Sequence, residues 1–209
     1  MKQGAVKFER LEYLKARGNE WLFYDGEAWY GTTHNRAVLK AEGEVVGGKL
    51  EESETELLWR HTIATSWDTA LGVRFDYADD APNREWLAFG IKGHTPYDLE
   101  VEAMAYVGPS GRTALVLEAE YDVMLTQTLY LQPAAEVRLY GQNDAEVELG
   151  SGVSDARIGV RLMKEITRQF VPYIGVEWAS KFGKTADYAR EEGESERETR
   201  FVAGLSFWF

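Results

Sequence analysis

Apolar and polar side chains alternate with a period of two along almost the whole chain, and the alternation runs to the last residue. That period is the signature of extended strands whose two faces meet different surroundings. It predicts twelve strands, at about 5–14, 20–31, 34–46, 51–63, 66–77, 84–94, 97–107, 112–123, 127–140, 154–166, 170–182 and 197–209. The fifth is the cleanest: Trp67, Leu71, Val73, Phe75 and Tyr77 share one face, and Asp68, Arg74 and Asp76 the other. The first is the least regular. In the ninth, Pro133 falls on the apolar face, where its missing N–H costs a ladder bond and points to a bulge. The connections alternate in character. One set is short, around Thr32–Thr33, Ala64–Thr65, Thr95–Pro96, Leu125–Thr126 and Thr167–Arg168. The other is more polar and includes the two longest segments, Gly141–Ser154 and Gly183–Glu196, both read as loops.

A soluble sandwich would alternate too, so other features must decide. No run of roughly 18 apolar residues occurs, which excludes helical membrane spans but not a barrel, whose strands are only half apolar. The mean hydropathy of -0.38 fits that half-apolar pattern. The polar faces mix both charges, with Glu52, Glu54 and Glu56 beside Arg36 and Lys40, as a lumen of paired or hydrated groups requires. Aromatic residues gather at strand ends, among them Tyr30, Trp59, Trp67, Tyr77, Tyr97 and Phe170, where rings prefer the headgroup level of a bilayer. The terminal FVAGLSFWF resembles the C-terminal signal read by the outer-membrane barrel-assembly machinery. The fold expected is therefore an all-β, transmembrane antiparallel barrel of about twelve strands in the outer membrane of a Gram-negative bacterium. It has short periplasmic turns, longer extracellular loops and both termini on the periplasmic side.

Charge and cysteine content refine this picture. The formal charge of -12 argues against a nucleic-acid partner and is compatible with metal cations. The absence of cysteine fits passage through an oxidising periplasm without disulfides. The N-terminal MKQGAVKFERLEYL has no signal-peptide core, so an exported chain is expected to have lost its targeting segment, and residues 1–209 read as one barrel domain.

Several segments carry a more specific signal: YDGEAWYG (24–31), LKAEGE (39–44), LEAEYD (117–122), the LTQ and LQP pair within 125–133, SGVSD (151–155), VPYIGVEWASKFGKTADYAREEGE (171–194) and TRFVAGLSFWF (199–209). Together they resemble the copper resistance protein B family over nearly the whole chain. The resemblance implies an outer-membrane barrel that binds or transports copper, as Cu(I), Cu(II) or both, and contributes to copper resistance and homeostasis. It implies lipid, copper ions and periplasmic copper-handling proteins as partners, and no organic cofactor. Family members commonly carry a His- and Met-rich segment ahead of the barrel, which residues 1–10 do not contain.

With no cysteine, the soft and imidazole ligands available to copper are few. His34, His94 and Met124 are expected at the periplasmic ends of strands, and Met104 and Met163 have lumen parity. These five are the candidate metal ligands, as a periplasmic-side cluster and a lumen pair. The acidic rungs Glu52, Glu54 and Glu56, Glu100 and Glu102, and Glu118 and Glu120 are expected to line a cation path, since carboxylate rings attract cations in pores. The competing expectation is a salt-bridged plug, in which Arg74, Arg138, Arg157, Arg161, Lys181 and Arg200 neutralise them. Two other readings remain: a small general porin or structural barrel, and a lipid-modifying enzyme using His61 with Ser66 or Ser53. No nucleophile motif surrounds either serine, so the expectation is a monomeric barrel that is not an enzyme.

Overall fold

A computed structural model describes residues 2–209. Twelve spanning strands follow in order: β1 (Gln3–Ala16), β2 (Asn19–Gly31), β3 (Asn35–Val46), β4 (Lys49–Ala64), β5 (Trp67–Ala78), β6 (Ala81–His94), β7 (Glu100–Val107), β8 (Thr113–Glu120, resumed by Val123–Met124), β9 (Leu129–Tyr140), β10 (Gly152–Lys164), β11 (Phe170–Lys181) and β12 (Arg197–Trp208). Each pairs antiparallel with its sequence neighbours, and β12 returns to β1, so the sheet closes. At the seam, Val6 and Phe209 exchange backbone hydrogen bonds of 2.9 and 3.0 Å. Closure leaves no edge, which hydrocarbon requires because an unpaired backbone group there costs several kcal/mol.

The irregular pattern of β1 has a local cause. Its pairing with β2 shifts between Phe8 and Arg10, and its pairing with β12 shifts between Phe8 and Leu11. The extra residue of this bulge inverts the inward–outward parity along the strand. Pro133 makes no bulge. It lies where β8 leaves the ladder, between the pairs Ala134↔Glu120 and Leu131↔Val123, so its missing N–H falls opposite the interruption at Tyr121 and Asp122. This break also ends the expected continuous strand over 112–123.

The five turns expected on the periplasmic side lie together at the end holding both termini. At the other end, Arg17–Gly18 and Gly47–Gly48 are two-residue turns in left-handed conformations, the geometry that matches strand twist. Loop length therefore distinguishes the outer end only in its last two connections. The longer of these is not wholly a loop as expected: Gly183–Glu191 forms a helix, α1. Thr185, Ala186 and Ala189 face inward along it and are buried. Spacings of three and four residues place them on one helical face, a pattern too short to stand out in the sequence.

Outward-facing side chains are apolar and uncovered: Leu87 and Ile174 are each 62 % exposed and Phe201 is 63 % exposed. In a bilayer this surface meets lipid tails, with Tyr30, Trp59, Tyr77 and Trp178 also exposed outward. The interior is not uniformly polar. One apolar cluster joins Val38, Leu58, Trp86, Met104, Tyr106 and Val116; a second joins Leu14, Phe23, Met163, Tyr173 and Val202. Buried charges lie beside the second cluster. Arg161 bonds Glu12 at 2.8 Å and Glu177 at 3.2 Å, and the Tyr173 hydroxyl donates to Glu12 at 2.9 Å.

Replacing Arg161 by Met would leave Glu12 and Glu177 buried without this cation, a loss of about 3–5 kcal/mol. The expected outcome is a lower temperature for conversion of the folded barrel to its slowly migrating denatured form on a gel. An unchanged temperature would show that these carboxylates do not depend on Arg161.

Candidate functional site

The closed sheet brings inward residues from distant strands into lateral rows. One row runs Lys92, Glu102, Glu118, Glu136, Arg157 across β6, β7, β8, β9 and β10. Another runs Asp25, Glu42, Glu54, Asp76, Arg84 across β2 to β6. Like charges stacked side by side repel, so these rows must be neutralised from across the lumen.

Arg138 does most of this. It reaches Glu42 at 2.9 Å, Glu54 at 2.6 Å and Glu136 at 2.5 Å. Arg74 meets Glu54 at 2.6 Å and Asp76 at 2.5 Å. Lys40 crosses to Glu102 at 3.3 Å, and Arg60 to Glu27 at 2.8 Å. These pairs form a plug that divides the lumen into two vestibules. The periplasmic one is a cavity of about 350 Å³, lined by nine carboxylates and six Lys or Arg side chains. The outer one, about 260 Å³, is lined by six carboxylates and seven Lys or Arg side chains. A cavity of about 20 Å³, room for one water, lies within the plug among Glu42, Glu54, Glu56, Glu118, Arg74 and Arg138.

The seven expected path carboxylates all lie at these cavities but differ in partners. Glu54 and Glu102 are held in the plug. Glu100 bonds Lys92 at 2.8 Å and His94 at 3.1 Å, and Glu120 accepts from Gln132 at 2.7 Å. Glu52, Glu56 and Glu118 have no cationic side chain within 4 Å among the described residues. Glu56 accepts from the Tyr106 hydroxyl at 2.6 Å through one oxygen, and its other oxygen is buried without a partner. Of the expected neutralising cations, Arg74, Arg138, Arg161 and Arg200 pair inside the barrel. Lys181 pairs instead with Glu194 at the outer rim, because it sits at the last residue of β11. The sequence had not singled out Glu12, Glu42, Glu136 or Glu177; inward parity was the only signal for the last three, and the β1 bulge removed even that for Glu12.

The candidate ligands are spread out. His34 is exposed in the β2–β3 turn, His94 ends β6, and Met124 is 59 % exposed at the end of β8. Met104 and Met163 are buried in the two separate apolar clusters. No group of three or more His, Asp or Glu among the described residues is arranged to hold a metal ion.

A strap crosses the outer mouth. In the segment joining β9 to β10, Asp144 receives two 2.9 Å hydrogen bonds from Arg84 of β6, and Glu146 one of 2.8 Å. Its far end is tied to α1: the Gly150 N–H donates to Thr185 Oγ1 at 2.8 Å, which also bonds Ser154 Oγ. A side chain at position 150 would come within 2.7 Å of the Thr185 nitrogen, so only glycine fits.

The family model for copper resistance protein B precursor (CopB) matches residues 2–209. The chain belongs to the copper resistance protein B family. Among curated members of that family, the copper resistance protein B homolog of Pseudomonas syringae pv. tomato is 46 % identical over 96 % of this chain and 68 % of its own length. The copper resistance protein B of Escherichia coli is 40 % identical over 98 % of this chain and 69 % of its own. Solved outer-membrane barrels share the fold of this copper resistance protein B family member. The NanC porin aligns with a TM-score of 0.61 at 11 % identity, covering 98 % of this chain and 99 % of its own. The KdgM porin aligns at 0.58 and 12 % identity with the same coverage, and outer membrane phospholipase A from Escherichia coli at 0.58 and 12 % identity, covering 96 % and 89 %. The family assigns the chain to copper resistance, and the fold places it in the Gram-negative outer membrane.

The strap carries a pH dependence. Hydrogen bonds from Arg84 hold the Asp144 carboxyl below its usual 3.8. A depressed folded-state value means the clasp stabilises the strap above the unfolded value and is lost as pH falls through the folded one. Proteolysis within residues 142–151 is therefore expected to rise below about pH 4 in the native protein, and already at neutral pH after Asp144→Asn. Equal cleavage of both proteins at neutral pH would show that the clasp does not hold the strap.

Proposed function

We propose that this barrel takes copper ions from the periplasmic side into its lumen and binds or conducts them there, as its part in copper resistance. The asymmetry of the two vestibules carries the reading: acidic side chains exceed basic ones in the periplasmic cavity and not in the outer one. A cavity with excess carboxylate and low-dielectric walls concentrates cations. The plug holds the resting lumen narrow, and the unpaired Glu118 extends the acidic surface from the periplasmic vestibule into it. Metal coordination by His34, His94, Met104, Met124 or Met163 belongs to this proposal. Met104 and Met163 would act as separate thioether contacts along the path rather than as one site, since each sits in its own cluster. Lipid and copper are the partners this reading needs; periplasmic copper-handling proteins and a monomeric state are proposed with it.

A non-enzymatic role is part of the same proposal. His61 Nδ1 lies 3.0 Å from Asn35 Oδ1, Ser53 Oγ accepts from the Tyr24 hydroxyl at 3.2 Å, and neither Ser53 nor Ser66 hydrogen-bonds His61, so no nucleophile is joined to this base. A general porin would share the vestibules but show no preference for copper.

Flux of Cu(I), Ag(I) and Cu(II) into liposomes holding the purified barrel, against Na⁺ and a small sugar, tests the reading. Selective entry of copper is expected, reduced severalfold by the triple change Glu100→Gln, Glu120→Gln and Asp122→Asn. Copper entry no faster than Na⁺ would favour the general porin. In a separate titration, Met104→Leu and Met163→Leu should each weaken Cu(I) or Ag(I) binding, and unchanged affinity would remove them as ligands.

A further inference from the structure

The ion pairs of the lumen leave one strand-borne cation over. Among the described residues, each other Lys or Arg that lines the cavities from a strand has a carboxylate oxygen within 4 Å: Arg10 has Asp25, Arg74 has Glu54, Arg138 has three, and Arg161 has Glu12. Arg157 has no such partner and makes no side-chain hydrogen bond, although it stands opposite Glu136 in the β9–β10 register. The reason is competition. Glu136 is taken by Arg138 at 2.5 Å, and Glu177, one pair further along the β10–β11 ladder on the same face, by Arg161 at 3.2 Å.

Among the described residues, Arg157 alone lines both vestibules. It ends the lateral row in which Glu102, Glu118 and Glu136 stand side by side. An ion drawn along that row from the periplasmic vestibule meets Arg157 at the boundary with the outer one. A guanidinium stays charged at any pH the cell meets, and here no carboxylate is in contact with it; Glu136, Asp155 and Glu177 act on it only from beyond ion-pair distance. Its field therefore acts on whatever passes, as single charges do in ion-selective pores.

We infer that Arg157 is the selectivity-determining residue of the passage: its charge, held in no ion pair, opposes cations crossing between the vestibules and favours anions at that point. The inference rests on the lumen being an ion path, as in the function proposed above, but not on copper being the ion. A paired arginine would be an electrically silent part of the plug; an unpaired one is a barrier that a cation must displace.

The test is the K⁺ to Cl⁻ permeability ratio of the purified barrel in planar bilayers under a KCl gradient. Arg157→Gln should raise the ratio by about tenfold, the scale of one charge acting over about 12 Å at an effective dielectric of about 20. Arg157→Glu should raise it further, and Arg157→Lys should leave it near the native value. Lys184→Gln on α1 removes an equal charge away from the passage and should change nothing. If the native barrel is closed, Arg157→Gln and Arg157→Glu should open it to K⁺. Gel migration of the unheated protein confirms that each variant is folded. A folded Arg157→Gln or Arg157→Glu barrel with unchanged selectivity, or one as closed as the native protein, overturns the inference. A clear shift in the ratio together with no copper preference would sustain Arg157 as the barrier while removing copper as the cargo.

Discussion

The whole structure depends on backbone hydrogen bonds having no water to fall back on. Inside a bilayer each N–H and C=O must find its partner in the chain, and a sheet can meet that demand only by closing on itself. The β1–β12 seam is therefore the contact on which the other eleven pairings depend. Its ladder is itself interrupted, because β1 bulges between Phe8 and Leu11. The bulge switches which side chains of β1 point inward. Lys7 and Glu9 line the periplasmic cavity before it, and Arg10 reaches the lumen after it.

Closure creates the electrostatic problem that shapes the interior. Twelve strands whose outer faces must be apolar place their polar residues inside, where they cannot all reach bulk water. Each buried charge costs several kcal/mol unless it is paired. The response is a network centred on Arg138 and Arg74, with aromatic and thioether side chains filling the space between. Pairing is dense at mid-lumen, with Glu56, Glu118 and Arg157 as exceptions, so the same network that stabilises the fold also shapes two vestibules of unequal charge. Stability and ion handling are two consequences of one arrangement.

The outer mouth is managed by different means. Here the chain is in water, its loops need not be closed by sheet pairing, and single clasps suffice. Arg84 on one side of the barrel holds Asp144 and Glu146 on the other, and Thr185 at the start of α1 anchors the far end of the strap. The helix fits against the strap because Gly150 has no side chain.

The sequence by itself determined the strands, their faces, the membrane setting and the family. Period-two alternation is a local property, and each strand's inner and outer residues are neighbours in the chain; the fifth strand, expected over about 66–77, spans Trp67–Ala78. It also determined that Glu54, Glu56, Glu102 and Glu118 would face the lumen. What it left open was which charges meet. Arg138 binds Glu42, which lies 96 residues away, and Arg161 binds Glu12 at a separation of 149 residues. Those partners depend on strand stagger, on the bulge in β1 and on the diameter of the closed barrel. The helix at Gly183–Glu191 was hidden because only packing against the strap and β10 makes it stable. Met104 and Met163 had the right parity to be a pair, but closure places them in separate clusters. Local pattern decides which face a side chain takes. Only the closed tertiary structure decides what stands opposite it, because that distance is set across the barrel and not along the chain.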